Sequence, residues 1–278
     1  VDFNFSPASQ VLPQLLNSLG FSVIALNAYV DEGRGVQIKE KEQALNQLSA
    51  IVSSLGAQAG FWLDPSAEAV TMVDETGRVC TGIELLSLTV WLLMKVGQKG
   101  AIAVPVQAPS TIEQMAEEKG CQVIRTKSSD RAMQEISSSS EIVLTGTTDG
   151  RFAFPRFQSS FDGMFVIARL MELSAAAGMT LSQALSDIPR SAFLQTSTPC
   201  PWEMKGGIMR KMSEDSLEKE ATFIDGIKVH FGAEWVLVLP DQYRPVTHIV
   251  AEAKDQKSAQ RLLGEYEKKI AAWKKEMV

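Results

Sequence analysis

The chain is poor in the residues from which many sites are built. Three cysteines and two histidines occur in 278 residues. Cys80, Cys121 and Cys200 lie far apart and form no C-x-x-C pair, so there is no zinc signature; buried free thiols in a reducing, cytoplasmic compartment are expected. His230 and His248 sit in alternating, strand-like segments without a Cys or Asp at ligand spacing, and read as strand-face histidines. Basic charge is also scarce: 27 Lys and Arg stand against 33 Asp and Glu, a net charge of −6. That balance argues against nucleic acid and anionic membrane as partners, since both need concentrated cations. No apolar run reaches the roughly 18 residues that span a bilayer. The longest, 85–96, is interrupted by Ser87, Thr89 and Lys95 and reads as a buried helix. No signal peptide opens the chain, which starts in a strand-like V-D-F-N-F without Met; a piece of a longer protein is expected. Gly33-x-Gly35 lacks a third, helix-opening Gly and reads as a plain turn, and no Ser or Cys sits in a nucleophile elbow.

What is present suffices for buried cores. The hydrophobic share is 45% and the charged share 22%, ordinary for a globular protein. The length suggests two or three domains. Residues 1–5 and 21–26 read as strands, the second apolar but for Ser22, and 31–35 as a loop. Val11, Leu12, Leu15, Leu16 and Leu19 recur at helical spacing before Gly20, and Leu45, Leu48, Ile51, Val52 and Leu55 before Gly56. Alternating strands and helices predict a doubly wound α/β unit over 1–78 and a second α/β unit over 79–189. From 190 to 278, grouped strands with a helix at each end predict a smaller α+β layer.

The stretch G-F-W-L-D-P-S-A-E-A-V-T-M-V-D-E (60–75) reads as strand, tight loop, strand and turn. A carboxylate at a buried strand's end, with another four residues on, can place two oxygens around a hard cation; Asp64 and Glu68 are the candidate metal ligands, for Mg²⁺, and the alternative is a loop whose acids cap nearby backbone N–H groups.

This stretch resembles the metal loop of the α-D-phosphohexomutases (phosphomannomutase/phosphoglucomutase), G-I-A-F-D-G-D-A-D-R followed by a strand and D-E-x-G. Asp64 matches the first metal Asp and Glu68 stands at the third, while Pro65, Ser66 and Ala69 replace Gly, Asp and Arg. The likeness runs along the chain. V-D-x-x-x-S-x-A-S (1–9) is similar to the start of the family's second domain. Arg125-Thr126-Lys127 with Asp130-Arg131 is similar to its R-T-K-V-G-D-R, and Phe154-Pro155-Arg156-Phe157 with Asp162-Gly163 to its F-P-x-F-x-x-x-x-D-G. Asp225-Gly226 and Ala251-Glu252-Ala253 resemble segments of the fourth domain. The resemblance implies domains two to four of four, without the first, which carries the catalytic Ser; no residue here is assigned a catalytic role.

It also implies substrate contacts at Lys127, Arg131, Thr147, Asp149, Arg151 and Arg244. Gly146-Thr147-Thr148-Asp149-Gly150-Arg151 takes the place of the sugar-reading G-E-x-S-G-H, and Leu239-Pro240-Asp241-Gln242-Tyr243-Arg244-Pro245 that of the phosphate loop R-P-S-G-T-E-P. Asp241 brings a negative charge where an anion would sit, and Tyr243 brings bulk. With all three loops altered, the expectation is a catalytically degenerate module acting in domain packing, oligomerisation or sensing of a sugar phosphate or nucleotide sugar. The alternative is an active mutase completed by an upstream domain. Cys200-Pro201-Trp202-Glu203-x-Lys205-Gly206-x-x-Met209-Arg210 resembles the linker of proteins fusing a mannose-1-phosphate guanylyltransferase to such a tail, implying an upstream nucleotidyltransferase domain in the same chain. There Trp202 is expected to plug a junction, with Lys205 and Arg210 on a wet helix face.

Overall fold

A computed structural model describes residues 1–30 and 38–277. The loop expected at 31–35, with Gly33-x-Gly35, lies outside the described residues. The chain divides into two units: Val1–Ala108 with Ile112–Ile124 and Ser129–Ile188, and Pro109–Thr111 with Arg125–Ser128 and Pro189–Val278.

In the first unit a 3₁₀ turn, Pro7–Gln10, is capped by the Ser6 hydroxyl and leads into α1 (Leu12–Ser18). Only Leu12 and Leu16 of its expected stripe are buried; Val11, Leu15 and Leu19 are exposed. α2 (Ile38–Leu55) packs Leu48 and Val52 against Trp62 and Val73. The strands expected at 1–5 and 21–26 shrink to bridges: Asp2 pairs in parallel with both Leu26 and Trp62. Positive φ at Asn4 and Phe5 ends the first at once, a turn that an apolar alternation cannot reveal. β1 (Ala59–Leu63) and β2 (Val70–Asp74) are an antiparallel pair rather than a parallel one. The six-residue connection explains this, being too short for a crossover helix.

α3 (Gly82–Lys95) starts with a capping box between Thr81 and Glu84 and is buried over most of its length, as its apolar composition demands. β3 (Ala101–Pro105), α4 (Thr111–Glu117), β4 (Gln122–Thr126), α5 (Asp130–Ser137), β5 (Ile142–Gly146) and β6 (Phe152–Ala153) follow. They give a sheet of order β4-β3-β5-β6, with β3–β5 parallel and β5–β6 antiparallel. α6 (Gly163–Ala177) is capped by Asp162 and closed by Gly178 at φ +66°; α7 (Leu181–Asp187) opens with a second capping box, Thr180 to Gln183. One core joins Phe61, Leu63 and Met72 to α3, β3, β5, α6 and α7.

The second unit holds β7 (Ala192–Pro199), α8 (Trp202–Asp215), β8 (Ala221–Thr222), β9 (Ile227–Phe231), β10 (Glu234–Pro240), β11 (Val246–Ala253) and α9 (Gln256–Glu276). Its sheet, β7-β11-β10-β9-β8, is antiparallel throughout. One face packs on α8 and α9 through Val236, Val238, Ile249, Ala251, Ile208, Leu262, Tyr266 and Ile270. Period-2 burial on the strands and an i, i+3/i+4 stripe on α9 make this layer.

Among the described residues no single helix is long and apolar enough to cross a membrane; α6 and α7 together pass that test but are bent by 74° at their junction.

Candidate functional site

The loop after β1 folds around one carboxylate. Asp64 Oδ1 accepts the backbone N–H groups of Glu68 at 2.8 Å and Ala69 at 2.7 Å, and the Ser66 hydroxyl donates to Oδ2. Ala67 turns the chain at φ +59°. Glu68 is exposed. Among the described residues no three His, Cys, Asp or Glu side chains are grouped to hold a metal. Mg²⁺ demands near-octahedral oxygen ligands; Asp64 serves instead as a loop cap, with Ser66 as its hydroxyl partner where a further carboxylate would be needed. The residues present do not fit a resident divalent cation.

A lysine that sequence inspection passed over supplies positive charge here. Lys41 Nζ lies 4.5 Å from the centroid of the Trp62 ring. Burial pushes its ammonium below the usual range, while the carboxylates of Asp149 and Asp64 act to hold it up. Only its position on α2, 23 residues before Asp64 in the chain, brings it there; the local K-E-K-E pattern reads as a solvated helix start.

The 147–151 loop is hydrogen-bonded to this one. Val70 N–H donates to Gly150 O at 2.9 Å, Ala69 bridges Arg151, and Gly163 N–H at the start of α6 donates to Ala67 O at 2.8 Å. Thr147 donates its hydroxyl to Asp149. Arg151 reaches Asp130 at 2.7 Å and Asp149 at 3.1 Å and lies 5.0 Å from the Phe161 ring. Burial opposes its charge, and Asp149 and Asp130 more than offset that. Asp64, Thr147, Asp149 and Arg151 are thus on adjoining loops of one unit.

Lys127 is exposed just past β4, and Arg131 is spent on Glu135 one helical turn further, at 2.8 Å and largely in solvent. In the second unit Arg244 pairs with Asp241, Nη2 to Oδ2 at 2.9 Å. His248 Nε2 meets the same oxygen at 2.8 Å, a role its strand position alone did not suggest. Lys205 is not on a wet face: it is 9% exposed, and its ammonium donates to the carbonyls of Asp241 and Arg244 at 2.5 and 2.6 Å. Trp202 is half exposed and lies over that ammonium at 3.6 Å, so within this unit it is a cation–π lid rather than a buried plug. Arg210 is exposed, as expected.

Two family models match consecutive stretches: phosphoglucomutase/phosphomannomutase alpha/beta/alpha domain II over residues 1–77, and domain III over 82–191. The chain belongs to the phosphoglucomutase/phosphomannomutase family, through its domains II and III. It is 28% identical over 267 residues to a probable phosphoglucosamine mutase of Pyrococcus furiosus, covering 95% of this chain and 59% of that protein. A phosphoglucomutase/phosphomannomutase family protein from Burkholderia thailandensis superposes with a TM-score of 0.83 at 20% identity, covering 98% and 60% of the two chains. N-acetylphosphoglucosamine mutase of Aspergillus fumigatus, solved with GlcNAc-6P and magnesium, gives 0.54 at 11% identity, covering 77% and 48%. The chain spans about three fifths of the length of the first two.

Proposed function

We propose that this chain is a phosphohexomutase-type module, domains II to IV, that does not itself isomerise sugar phosphates. The carrying observation is that the charged side chain in each of three substrate loops is already consumed by groups of the chain: Asp64 by its own backbone, Arg151 by Asp130 and Asp149, and Arg244 by Asp241. Phosphoryl transfer relies on positioning and electrostatic stabilisation, and losing one such donor typically costs about 10²–10³ in rate. Three closed loops remove several at once. The module then serves packing, self-association or recognition of a sugar phosphate or nucleotide sugar, as the C-terminal part of a mannose-1-phosphate guanylyltransferase-type protein carrying an upstream nucleotidyltransferase domain. Lys127, exposed just past β4, is the remaining candidate for ligand contact; Thr147, Asp149 and Arg131 are held by partners of their own.

The second reading is an active mutase, completed by an upstream catalytic-serine domain. The mutase names carried by relatives such as the Pyrococcus furiosus protein favour it. The two are separated by following glucose-, mannose- and glucosamine-1-phosphate by ³¹P NMR with the full-length protein. No interconversion is expected. Interconversion that disappears in Asp64→Ala would replace the first reading with the second.

A further inference from the structure

In the first unit a groove of about 450 Å³ lies between the extended 21–26 segment and β1, and Val1 is part of its lining. Asp2 fixes the backbone geometry there. Its N–H donates to Phe61 O at 2.7 Å and its carbonyl accepts Leu63 N–H at 3.0 Å. On the other side Val1 O accepts Leu26 N–H at 2.9 Å, and Phe3 N–H donates to Leu26 O at 3.0 Å. Residues 1–3 are therefore the middle of a three-strand parallel ladder. The Val1 amino group already makes the next bond of that ladder, to Ile24 O at 2.7 Å.

Such a ladder repeats every second residue. Continued past Val1 into the groove, it arrives at Phe61 N–H and Ala59 O on β1, and at Ile24 N–H and Ser22 O on the facing segment. Because Phe61 and Leu63 bond to Asp2, the alternate residues Gly60 and Trp62 are the ones that bond to β2. Phe61 N–H and Ala59 O are thus turned toward the groove, and none of the four groups has a backbone partner among the described residues. Phe61 is buried, where an unpaired N–H is costly.

Side chains wall the groove on both faces. Leu16 and Ile167 belong to the cluster that Phe61 joins, Leu48 and Val52 to the one that Trp62 joins. A strand between them would bury successive side chains on alternate walls and so be apolar at every position, as in a covered parallel sheet. The Val1 amino group suits these surroundings poorly: burial pulls its pKa down to about 6, with Asp2 partly opposing. An amide N–H at the same place would keep the bond to Ile24 O with no charge to desolvate.

We propose that the groove receives a short, apolar, extended peptide segment as a parallel strand between 21–26 and β1, and that its occupant is the stretch of polypeptide joined to Val1 in the intact protein. The residue immediately before Val1 gives its N–H to Ala59 O and takes Phe61 N–H. The one before that gives its N–H to Ser22 O and takes Ile24 N–H. The upstream part of the protein is thereby anchored in the core of this unit instead of hanging from a flexible linker. The inference rests on the proposed reading only for the presence of polypeptide upstream of Val1, and not on what that polypeptide does.

The test appends residues to Val1 of the full chain. Two apolar extensions, Lys-Val-Ile-Val and Lys-Ile-Val-Ile, are compared with Gly-Ser-Gly-Ser, which displaces the amino group equally but offers no apolar side chain. Native-state hydrogen exchange is followed at the Phe61 and Ile24 amides, with thermal melting for Tm and far-UV circular dichroism to check the fold. At least one apolar extension is expected to slow exchange at both amides about tenfold or more and to raise Tm, and Gly-Ser-Gly-Ser to do neither. Apolar extensions that leave both amides exchanging as in the unextended chain overturn the proposal. Equal protection by Gly-Ser-Gly-Ser overturns it too, since the effect then comes from losing the charge. Isomerisation of sugar phosphates by the full-length protein would refute the proposed function and leave the strand untouched, so the two failures are distinguishable.

Discussion

Glu75, in the turn after β2, fastens the start of α7: its carboxylate accepts the N–H of Ser182 at 3.2 Å and its hydroxyl at 2.5 Å. The two residues are 107 positions apart in sequence. An acid at a helix N-terminus gains from the unpaired N–H groups there and from the helix dipole. The contact ties the β1–β2 hairpin to the helices that follow β6, and so helps hold the Asp64 loop against the Asp149 loop.

Burial alone would raise the Glu75 pKa, but the hydroxyls of Ser182 and Thr180 outweigh it and the net shift is downward. A carboxylate depressed in the folded state stabilises above its unfolded value, about 4.3, and loses that contribution as pH falls through the folded value. Glu75→Ala is expected to cost about 1–2 kcal/mol at pH 7. Urea denaturation across pH should show the variant and the original chain converging below about pH 4.

Gly150 has φ +93°, and a Cβ there would lie 2.2 Å from the carbonyl oxygen of Val70. That oxygen is backbone and cannot step aside without breaking the join between the two loops. Gly150→Ala is expected to destabilise by roughly 1–3 kcal/mol, read as a lowered Tm, with faster amide exchange at Val70.

Glu252 is 2% exposed and gathers Ser110 N–H, the Ser191 hydroxyl and Trp235 Nε1. Lys228 Nζ lies 3.7 Å from the Trp235 ring beside it. Glu252→Ala removes the acceptor of the half-buried Ser110 N–H and Ser191 hydroxyl, while Trp235 Nε1 keeps Ser110 Oγ at 2.8 Å, and should cost about 1–3 kcal/mol. Chemical denaturation checks the loss, and quenched or shifted Trp235 emission checks its origin.

Burial, reinforced by Asp74 and Glu84, pushes the Cys80 thiol up to about 12. Since the thiolate is the nucleophile, iodoacetamide at pH 8 should leave Cys80 unmodified in the native chain. Cys121 and Cys200 are also buried and free, so three alkylations are expected only after unfolding.

How much of this was legible is clearest residue by residue. Thr81 with Glu84, Thr180 with Gln183, and Gly178 are signals within a few positions of one another, and the helices begin or end where those signals sit. The ordered motifs from V-D-F-N-F to D-G-I-K-V carried the family likeness because they record framework turns. The reading failed where an apolar run had two outcomes: 21–26 is extended, yet pairs only at Leu26. It failed again at Lys205, where a lysine on a helix looks solvated until a loop 36 residues away closes over it.

The amino-acid order by itself determined the end of α6 at Gly178, the start of α7 at Thr180, the α+β layer of the last third, and the altered letters of three loops, because caps, turns and periodicity act over a single turn or strand. Only the tertiary structure decided which charges those loops keep for themselves. The partners of Asp64, Arg151 and Asp241 are backbone N–H groups and side chains whose directions depend on how the chain has turned, and hydrogen-bond direction is not written in residue type.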